Sequence, residues 1–198
     1  MSLSTAFTDR INQLYRSFMQ HDAVQSDRIK RYRNIEPDSA QYLAMLIRIQ
    51  QSKKILEIGT STGYSTLWMA DAIQVTGGKL TTLEIDSART AKAQNYATEL
   101  KLDHVIDFWV GDAKNFLVEQ HDQQYDFILL DAERDAYLDY WPYLQQMFIK
   151  QGSVLIVDNV ISHAAEVKSF IEAVKNDERF MSMTLSLGAG LFLISPKS

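Results

Sequence analysis

Cysteine is absent from the 198 residues. That removes disulfides, zinc-thiolate sites, iron-sulfur clusters and thiol nucleophiles together. Also missing is any apolar run near the roughly 20 residues that span a bilayer, and the opening MSLSTAFTDR lacks a signal-peptide core. The expectation is a soluble, cytoplasmic chain with no membrane partner. Positive charge is not in excess either. The net charge of -5 argues against a broad nucleic-acid surface, which needs clustered Lys and Arg. The one basic cluster, Arg28-Ile29-Lys30-Arg31-Tyr32-Arg33, is short and reads as a solvated helix face. No repeat or low-complexity segment appears. A 46% hydrophobic and 11% aromatic composition excludes a disordered chain, and the length suits one domain, 1-198, with a single filled core.

Phe7, Ile11, Leu14, Tyr15 and Phe18 recur at helical spacing, which predicts an amphipathic helix over 4-20. A second helix is expected less clearly over 22-34. Pro37 then opens a third, with Tyr42, Leu43, Leu46 and Ile47 facing inward. Residues 1-50 thus read as a helical cover over a core at 53-198. From Lys53 the signals alternate. Mostly apolar strands are expected at 54-58, 79-85, 105-110, 125-131 and 152-158, as in a sheet buried on both faces. Helices are expected at 64-74, 87-100, 112-119, 138-149 and 163-175, the second with Ala88, Ala91, Tyr96, Ala97 and Leu100 as its apolar set. Gly77-Gly78 and Gly152 mark returns into strands. Two final runs, Phe180-Leu187 and Leu191-Ser195, flank Gly188-Ala189-Gly190 and read as a hairpin. The fold class is α/β: a doubly wound, mostly parallel, seven-stranded sheet closed by an antiparallel hairpin.

Ligands of such sheets bind at the carboxyl ends of the strands, near the switch in strand order. The stretch Ile55-Ser65, ILEIGTSTGYS, is a buried strand that turns through small residues into a helix. The helix start offers unpaired N-H groups and the positive end of its dipole, so an anionic group belongs over Gly59-Gly63. The spacing Gly59-Thr60-Ser61-Thr62-Gly63 is not the G-x-G-x-x-G of a pyrophosphate site, which counts against a nicotinamide dehydrogenase. A carboxylate fits better. Glu57, aimed at the same crevice, would hold an ammonium group, and the two together describe an amino acid. Glu84 closes the second strand 25 residues beyond Gly59, where an acid reaches the hydroxyls of a ribose; a solvated strand end is the plain alternative. Asp112, in Gly111-Asp112-Ala113, either borders an adenine edge or caps the next helix, and the two roles are compatible.

Taken in order, ILEIGTSTGYS, TTLEID, VGDA, LLDAERDAY and IVDN resemble the class I S-adenosylmethionine-dependent methyltransferases of the catechol and caffeoyl-CoA O-methyltransferase family. The resemblance runs from about Glu36 to the C-terminus and includes the GxGL-type hairpin end. It implies that Glu57, Gly59, Thr60, Gly63, Tyr64 and Ser65 surround the methionine part of the donor. Glu84 and Ile85 would meet the ribose, Gly111, Asp112 and Ala113 the adenine, and Asp131 would border the same site.

Asp131, Asp158 and Asn159 offer three oxygen ligands without sulfur or imidazole, a set suited to a hard cation, with magnesium first and manganese or calcium as competitors. On the residues alone, helix caps and an Asp-Asn turn are the preferred explanation; the resemblance reverses that order in favour of the metal. A divalent ion there would gather a vicinal diol on an aromatic ring and lower the pKa of the attacking hydroxyl. Asp131 and Arg134 are the implied catalytic residues. Members of the family place a lysine where this chain has Arg134, and an arginine does not release its proton, so its role would be to stabilise a phenolate. An exposed Arg134 paired with Glu133 or Asp135 is the structural alternative. His163 is a further candidate base, more simply a capping residue. The pair of glycines around Ala189 lacks the acid that often sits between them in related enzymes. Tyr137, Tyr140, Trp141 and Tyr143 are candidates for an aromatic pocket, although helical spacing assigns part of that set to the core. The reading is a metal-dependent O-methyltransferase of a small catechol-like aromatic, as a homodimer. The alternatives are a hydroxylated tRNA base as acceptor, which the acidic charge disfavours, and a donor-binding protein without catalysis.

Overall fold

The computed structural model describes residues 4-197. Helix α1 (Thr5-Val24) starts at Ser4, whose Oγ accepts from the Phe7 N-H at 3.1 Å. It buries Phe7, Ile11, Leu14 and Phe18 as its periodicity requires. The helix expected over 22-34 does not form: α1 runs on to Val24, and only a 3-10 turn, Arg28-Lys30, follows. Few apolar residues there would repay helix formation, and the chain instead runs without regular structure, through Arg33 at φ +53, to Pro37. Helix α2 (Pro37-Gln50) has the proline in its first turn and buries Ser39, Ala40, Leu43, Ala44 and Ile47.

The sheet then builds through β1 (Lys54-Ile58), α3 (Tyr64-Thr76), β2 (Lys79-Glu84), α4 (Ser87-Glu99), β3 (Ile106-Val110), α5 (Ala113-Glu119), β4 (Phe127-Leu130), α6 (Tyr137-Met147), β5 (Val154-Val157), α7 (Ala164-Lys175), β6 (Phe180-Leu185) and β7 (Leu191-Pro196). Its order is β3-β2-β1-β4-β5-β7-β6. The pairs among β1 to β5 are parallel, while β7 runs antiparallel to both β5 and β6. This is the expected α/β class. Strand order reverses between β1 and β4, whose register sets Ile58 beside Leu130 and so brings Gly59 and Asp131 together just beyond.

One apolar cluster joins α1, α2 and α3 to one sheet face, with Phe7, Leu43, Trp68, Phe127 and Ile156 among its members; the cover and the sheet share this core. The second cluster, on the opposite face, gathers Phe116, Tyr137, Tyr140, Trp141, Phe148, Phe170 and Phe180. Trp141 meets Phe170 and Phe180 edge-on at 5.8 and 5.3 Å. Tyr137, Tyr140 and Trp141 are therefore core and do not line an aromatic pocket, and Tyr143 packs beside them. Helix α4 also turns differently from expectation. It buries Thr90, Ala93 and Ala97, while Ala88 and Ala91 are exposed. The hairpin loop takes 186-190, and its two glycines have specific reasons. A Cβ on Gly188 would meet Ser39 Oγ at 2.3 Å, and one on Gly190 would meet Ile161 at 2.4 Å. No helix among the described residues is long and apolar enough to cross a membrane.

Candidate active site

The loop after β1 is built by left-handed backbone at Gly59 (φ +108), Ser61 (φ +49) and Gly63 (φ +91). Several of its amides are already used. Gly59 and Thr60 donate to the Leu83 carbonyl at 3.0 and 3.1 Å, and Gly63 to that of Thr60 at 2.9 Å. The Ser61 N-H donates to Glu84 Oε2 at 2.8 Å. The amides of Thr62, Tyr64, Ser65 and Thr66 have no acceptor among the described residues, and they converge on the positive end of α3. Gly63 is also the point where α4 comes close, since a Cβ there would lie 2.8 Å from that of Ala93.

Glu57 does not face the crevice. Its carboxylate is fully buried and accepts from Ser65 Oγ, from Thr66 Oγ1 at 2.6 Å and from Thr82 Oγ1 at 2.6 Å. Thr82 and Thr60 hydroxyls lie 2.5 Å apart in the same network. Burial raises this carboxyl to about 6, the three hydroxyls holding it back in part. The carboxylate that the sequence reading gives to an ammonium group is thus engaged by three hydroxyls, and it ties α3 and β2 to the loop. Tyr64 likewise turns its ring into the core, 4.9 Å from that of Tyr15, leaving only its backbone toward the loop.

At the next strand end, Glu84 is half-buried and accepts from Ser61 and, at 3.0 Å, from the Asp86 N-H. Ile85 beside it is 72% exposed, and Ile29 and Ile49 are similarly exposed elsewhere on the surface. Gly111 donates to the Glu84 carbonyl at 2.9 Å, and Asp112 caps α5 by accepting from Lys114 N-H at 2.9 Å, with Ala113 opening that helix.

Asp131 and Asp158 end β4 and β5, and Asn159 stands between their carboxylates. Its Nδ2 donates to Asp131 Oδ1 at 3.0 Å and to Asp158 Oδ2 at 2.9 Å. Neither aspartate caps a helix, while the Asp158-Asn159 pair does stand at a turn. Asn159 holds φ +67, a backbone state asparagine tolerates better than most residues. Asp158 is 1% exposed, and its Oδ1 has no partner. Burial, then the charge of Glu57, pushes the Asp131 carboxyl up against the pull of Arg33 and Arg134, and burial, then the charge of Asp131, pushes that of Asp158 up, with Glu36 adding to both. Two crowded carboxylates, an amide and an orphaned buried oxygen fit a hard divalent cation. Among the described residues no three His, Cys, Asp or Glu side chains gather for a metal, so such a site depends on the Asn159 amide.

Arg134 is 7% exposed, and its Nε donates to Glu166 Oε2 at 2.9 Å. It does not pair with Glu133 or Asp135. Glu133 instead receives Arg28 and Arg33, at 2.8 and 2.7 Å. The basic cluster keeps Arg28, Lys30, Arg31 and Arg33 exposed, as a solvated face would, but it is not a helix face and its backbone is tied to neighbouring elements. Tyr32 O accepts from Ser61 Oγ at 2.6 Å, Asn34 Nδ2 donates to Thr62 Oγ1 at 2.9 Å, and Arg89 Nη2 donates to the Ile29 and Arg31 carbonyls. The segment is a strap across the glycine loop. His163 precedes α7 with its Nδ1 2.9 Å from Ser162 Oγ, a local contact. The loop at Ala189 closes the other side, its carbonyl accepting from Ile161 and Ser162 N-H at 3.0 Å. Asn34, Glu36 and Glu166 belong to this neighbourhood without having stood out in the sequence, and Arg33 stood out only as part of the basic cluster. The Glu36-Pro37 start of a helix was the one available signal, and Glu166 had none beyond its helical spacing from His163.

A glycine loop, an acid at the end of β2 and a carboxylate pair at β4 and β5 define a Rossmann-like, methyltransferase-type site. The O-methyltransferase profile matches residues 9-197, and the chain belongs to that family of enzymes. It is 32% identical over 155 residues to the catechol O-methyltransferase of Niastella koreensis, covering 76% of this chain and 69% of that one. To the caffeoyl-CoA O-methyltransferase of Medicago sativa it is 34% identical over 135 residues, 66% of this chain and 54% of the other. The solved O-methyltransferase from Bacillus cereus, in complex with SAH, shares the fold at TM-score 0.80 and 22% identity, covering 100% of this chain and 93% of that one.

Proposed function

We propose that this O-methyltransferase moves the methyl group of S-adenosylmethionine to one hydroxyl of a small ortho-dihydroxy aromatic, with a divalent cation held by Asp131, Asp158 and Asn159. The observation that carries it is the carboxylate-amide-carboxylate cluster, with its unpartnered Asp158 Oδ1, next to a loop whose free amides suit a carboxylate. The names of the catechol and caffeoyl-CoA relatives and the SAH in the related structure support the same reading.

In this reading the amides of Thr62, Tyr64, Ser65 and Thr66 receive the donor's carboxylate, Glu84 its ribose hydroxyls, and Ile85 with Gly111, Asp112 and Ala113 its adenine. Gly59, Thr60 and Gly63 shape the loop, while Glu57 stiffens it. The chemistry a divalent cation supplies is a lower pKa for a hydroxyl beside it, with magnesium first and manganese or calcium as substitutes. Arg134 keeps its proton and offers fixed positive charge to the developing phenolate. The oxygen's electron pair forms the new C-O bond as the S-C bond breaks, the sulfonium becomes a thioether, and the phenolic proton leaves to solvent. Placement of oxygen and methyl carbon can contribute on the order of 7 to 11 kcal/mol.

The edge strand β6 exposes Met181 and Met183, and α2 separately exposes Met45 and Ile49; either apolar exposure supports a homodimer. The deciding experiment incubates the protein with methyl-tritiated S-adenosylmethionine and catechol, with and without EDTA. Label in the monomethyl ether that disappears with EDTA is expected. No transfer to any diol would overturn the reading, and transfer indifferent to EDTA would remove the metal from it.

A further inference from the structure

The strap between α1 and α2 crosses three strand ends in a row. Arg89, in the first turn of α4 just past β2, donates through Nη2 to the Ile29 and Arg31 carbonyls at 2.5 and 2.9 Å. Beyond β1, Ser61 Oγ donates to the Tyr32 carbonyl at 2.6 Å, and Thr62 Oγ1 accepts from Asn34 Nδ2 at 2.9 Å. Beyond β4, Glu133 receives Nη2 of both Arg28 and Arg33, at 2.8 and 2.7 Å. Since β2, β1 and β4 are neighbours in the sheet, the strap spans the mouth of the crevice at their carboxyl ends.

Its grip there is polar throughout. No residue of 25-34 is buried, and Ile35, 2% exposed, marks where the chain re-enters the core. Behind the strap, Asp22 on α1 accepts from the Tyr32 and Arg33 N-H groups at 2.7 and 2.9 Å, and the His21 ring stacks on that of Tyr32 at 3.8 Å. These contacts keep the segment folded on the end of α1, so that it moves as one piece. In front, only hydrogen bonds and the two ion pairs to a half-exposed Glu133 hold it to the crevice. Exposed pairs contribute little individually, and segments with few buried contacts open at low cost. Arg33 is left-handed at φ +53, a strain that opening releases.

A donor whose carboxylate meets the amides from Thr62 to Thr66 and whose ribose meets Glu84 lies beneath this strap. Resting on that placement, we propose that residues 25-34 are a gate over the donor, with Glu133 as its latch. Glu133 follows Asp131 by two residues, so the loop that carries the first acid of the carboxylate cluster also holds the gate shut. The latch favours the closed strap with or without a ligand. It therefore sets how fast S-adenosylmethionine enters and SAH leaves, and changes their affinity little.

Trypsin reports the opening directly, since Arg28, Lys30, Arg31 and Arg33 are exposed cleavage sites within the strap. Glu133→Gln, at an unchanged melting temperature, should be cut there roughly three- to tenfold faster than the unaltered protein, and saturating SAH should slow the cutting in both. Rapid filtration of tritiated SAH measures association and, after a chase with unlabelled SAH, release. In Glu133→Gln both rate constants should rise by the same several-fold factor while the dissociation constant stays within about twofold, as loss of two exposed pairs from a gate requires. Arg28→Gln with Arg33→Gln should reproduce those rates. Lys30→Gln, which removes a strap charge outside the Glu133 pairs, should leave them as they are. Faster release alone, with weaker binding, would make Glu133 a prop of the donor site and overturn the gate. Unchanged cutting and unchanged SAH rates would overturn it while leaving the donor placement intact. Faster cutting with unchanged SAH rates would also overturn it, because the strap would then open away from the donor. No SAH binding by the unaltered protein would instead refute the donor reading, a failure the trypsin rates do not share.

Discussion

Gly59 passes so close to Asp131 that a Cβ on the glycine would lie 1.9 Å from the Asp131 carbonyl oxygen. The contact follows from the parallel register of β1 and β4, and the backbone at Gly59 is left-handed as well, at φ +108. The glycine loop and the first acid of the carboxylate cluster are therefore one rigid unit. Gly59→Ala combines backbone strain with an overpacked contact to main chain, which cannot rotate aside. The expected loss is roughly 3 to 5 kcal/mol, read from urea unfolding midpoints. A change under about 1 kcal/mol, within the range of ordinary surface substitutions, would mean that β1 and β4 can part without cost.

Glu57 makes stability fall with rising pH. Burial is the leading cause that lifts its carboxyl from 4.5 to about 6 in the folded protein. Between those values the folded state holds more protons than the unfolded one, so stability drops as pH rises. The favourable contribution is complete below pH 4.5 and gone above about 6, a difference of about 2 kcal/mol. Glu57→Gln keeps the shape and removes the titration. The difference between the two proteins' unfolding free energies should change by that amount across the window. A pH-independent difference would show that Glu57 titrates normally.

How much of this is legible beforehand depends on the kind of information involved. Strands buried on both faces are written as unbroken apolar runs, so the fourth is expected at 125-131 and forms at Phe127-Leu130. The strand ends, and with them Glu84, Asp131, Asp158 and Asn159, follow from the same pattern. Side-chain direction does not. With both faces of β1 buried, alternation carries no signal, and nothing in LEI tells that Glu57 turns to Ser65, Thr66 and Thr82. Contacts made across long stretches of chain are equally silent: Arg134 to Glu166, and Arg28 and Arg33 to Glu133, come from tertiary packing. The basic cluster at 28-33 shows the cost. Its composition reads as a solvated face, while its position makes it a strap.

Glu84 links loop and ligand. It accepts from the Ser61 and Asp86 N-H groups at 2.8 and 3.0 Å, so it orders the turn that its carboxylate would share with a ribose. Glu84→Ala should weaken SAH binding by roughly ten- to hundredfold, with a stability loss of about 1 to 3 kcal/mol from the two stranded amides. Calorimetric titration separates the effects. Unchanged SAH affinity in a destabilised variant would confine Glu84 to holding the loop.

The carboxylate cluster makes a prediction about stability that needs no substrate. Asp131 and Asp158 face one another across the Asn159 amide, both pushed toward the protonated form, Asp131 by burial and the charge of Glu57 and Asp158 by burial and the charge of Asp131, with one Asp158 oxygen unpartnered. Without a cation, Asp158→Asn removes one of two crowded charges and should leave the protein at least as stable as before. A bound ion reverses the order, because it stabilises only the intact cluster. At a free concentration one hundred times its dissociation constant the gain is about 2.7 kcal/mol. Thermal melts in EDTA and in excess magnesium, manganese or calcium should show a rise for the unaltered protein and none for Asp158→Asn. Equal rises in both would put the ion elsewhere, and a variant that melts lower in EDTA would mean that Asp158 is held by the fold rather than reserved for a cation.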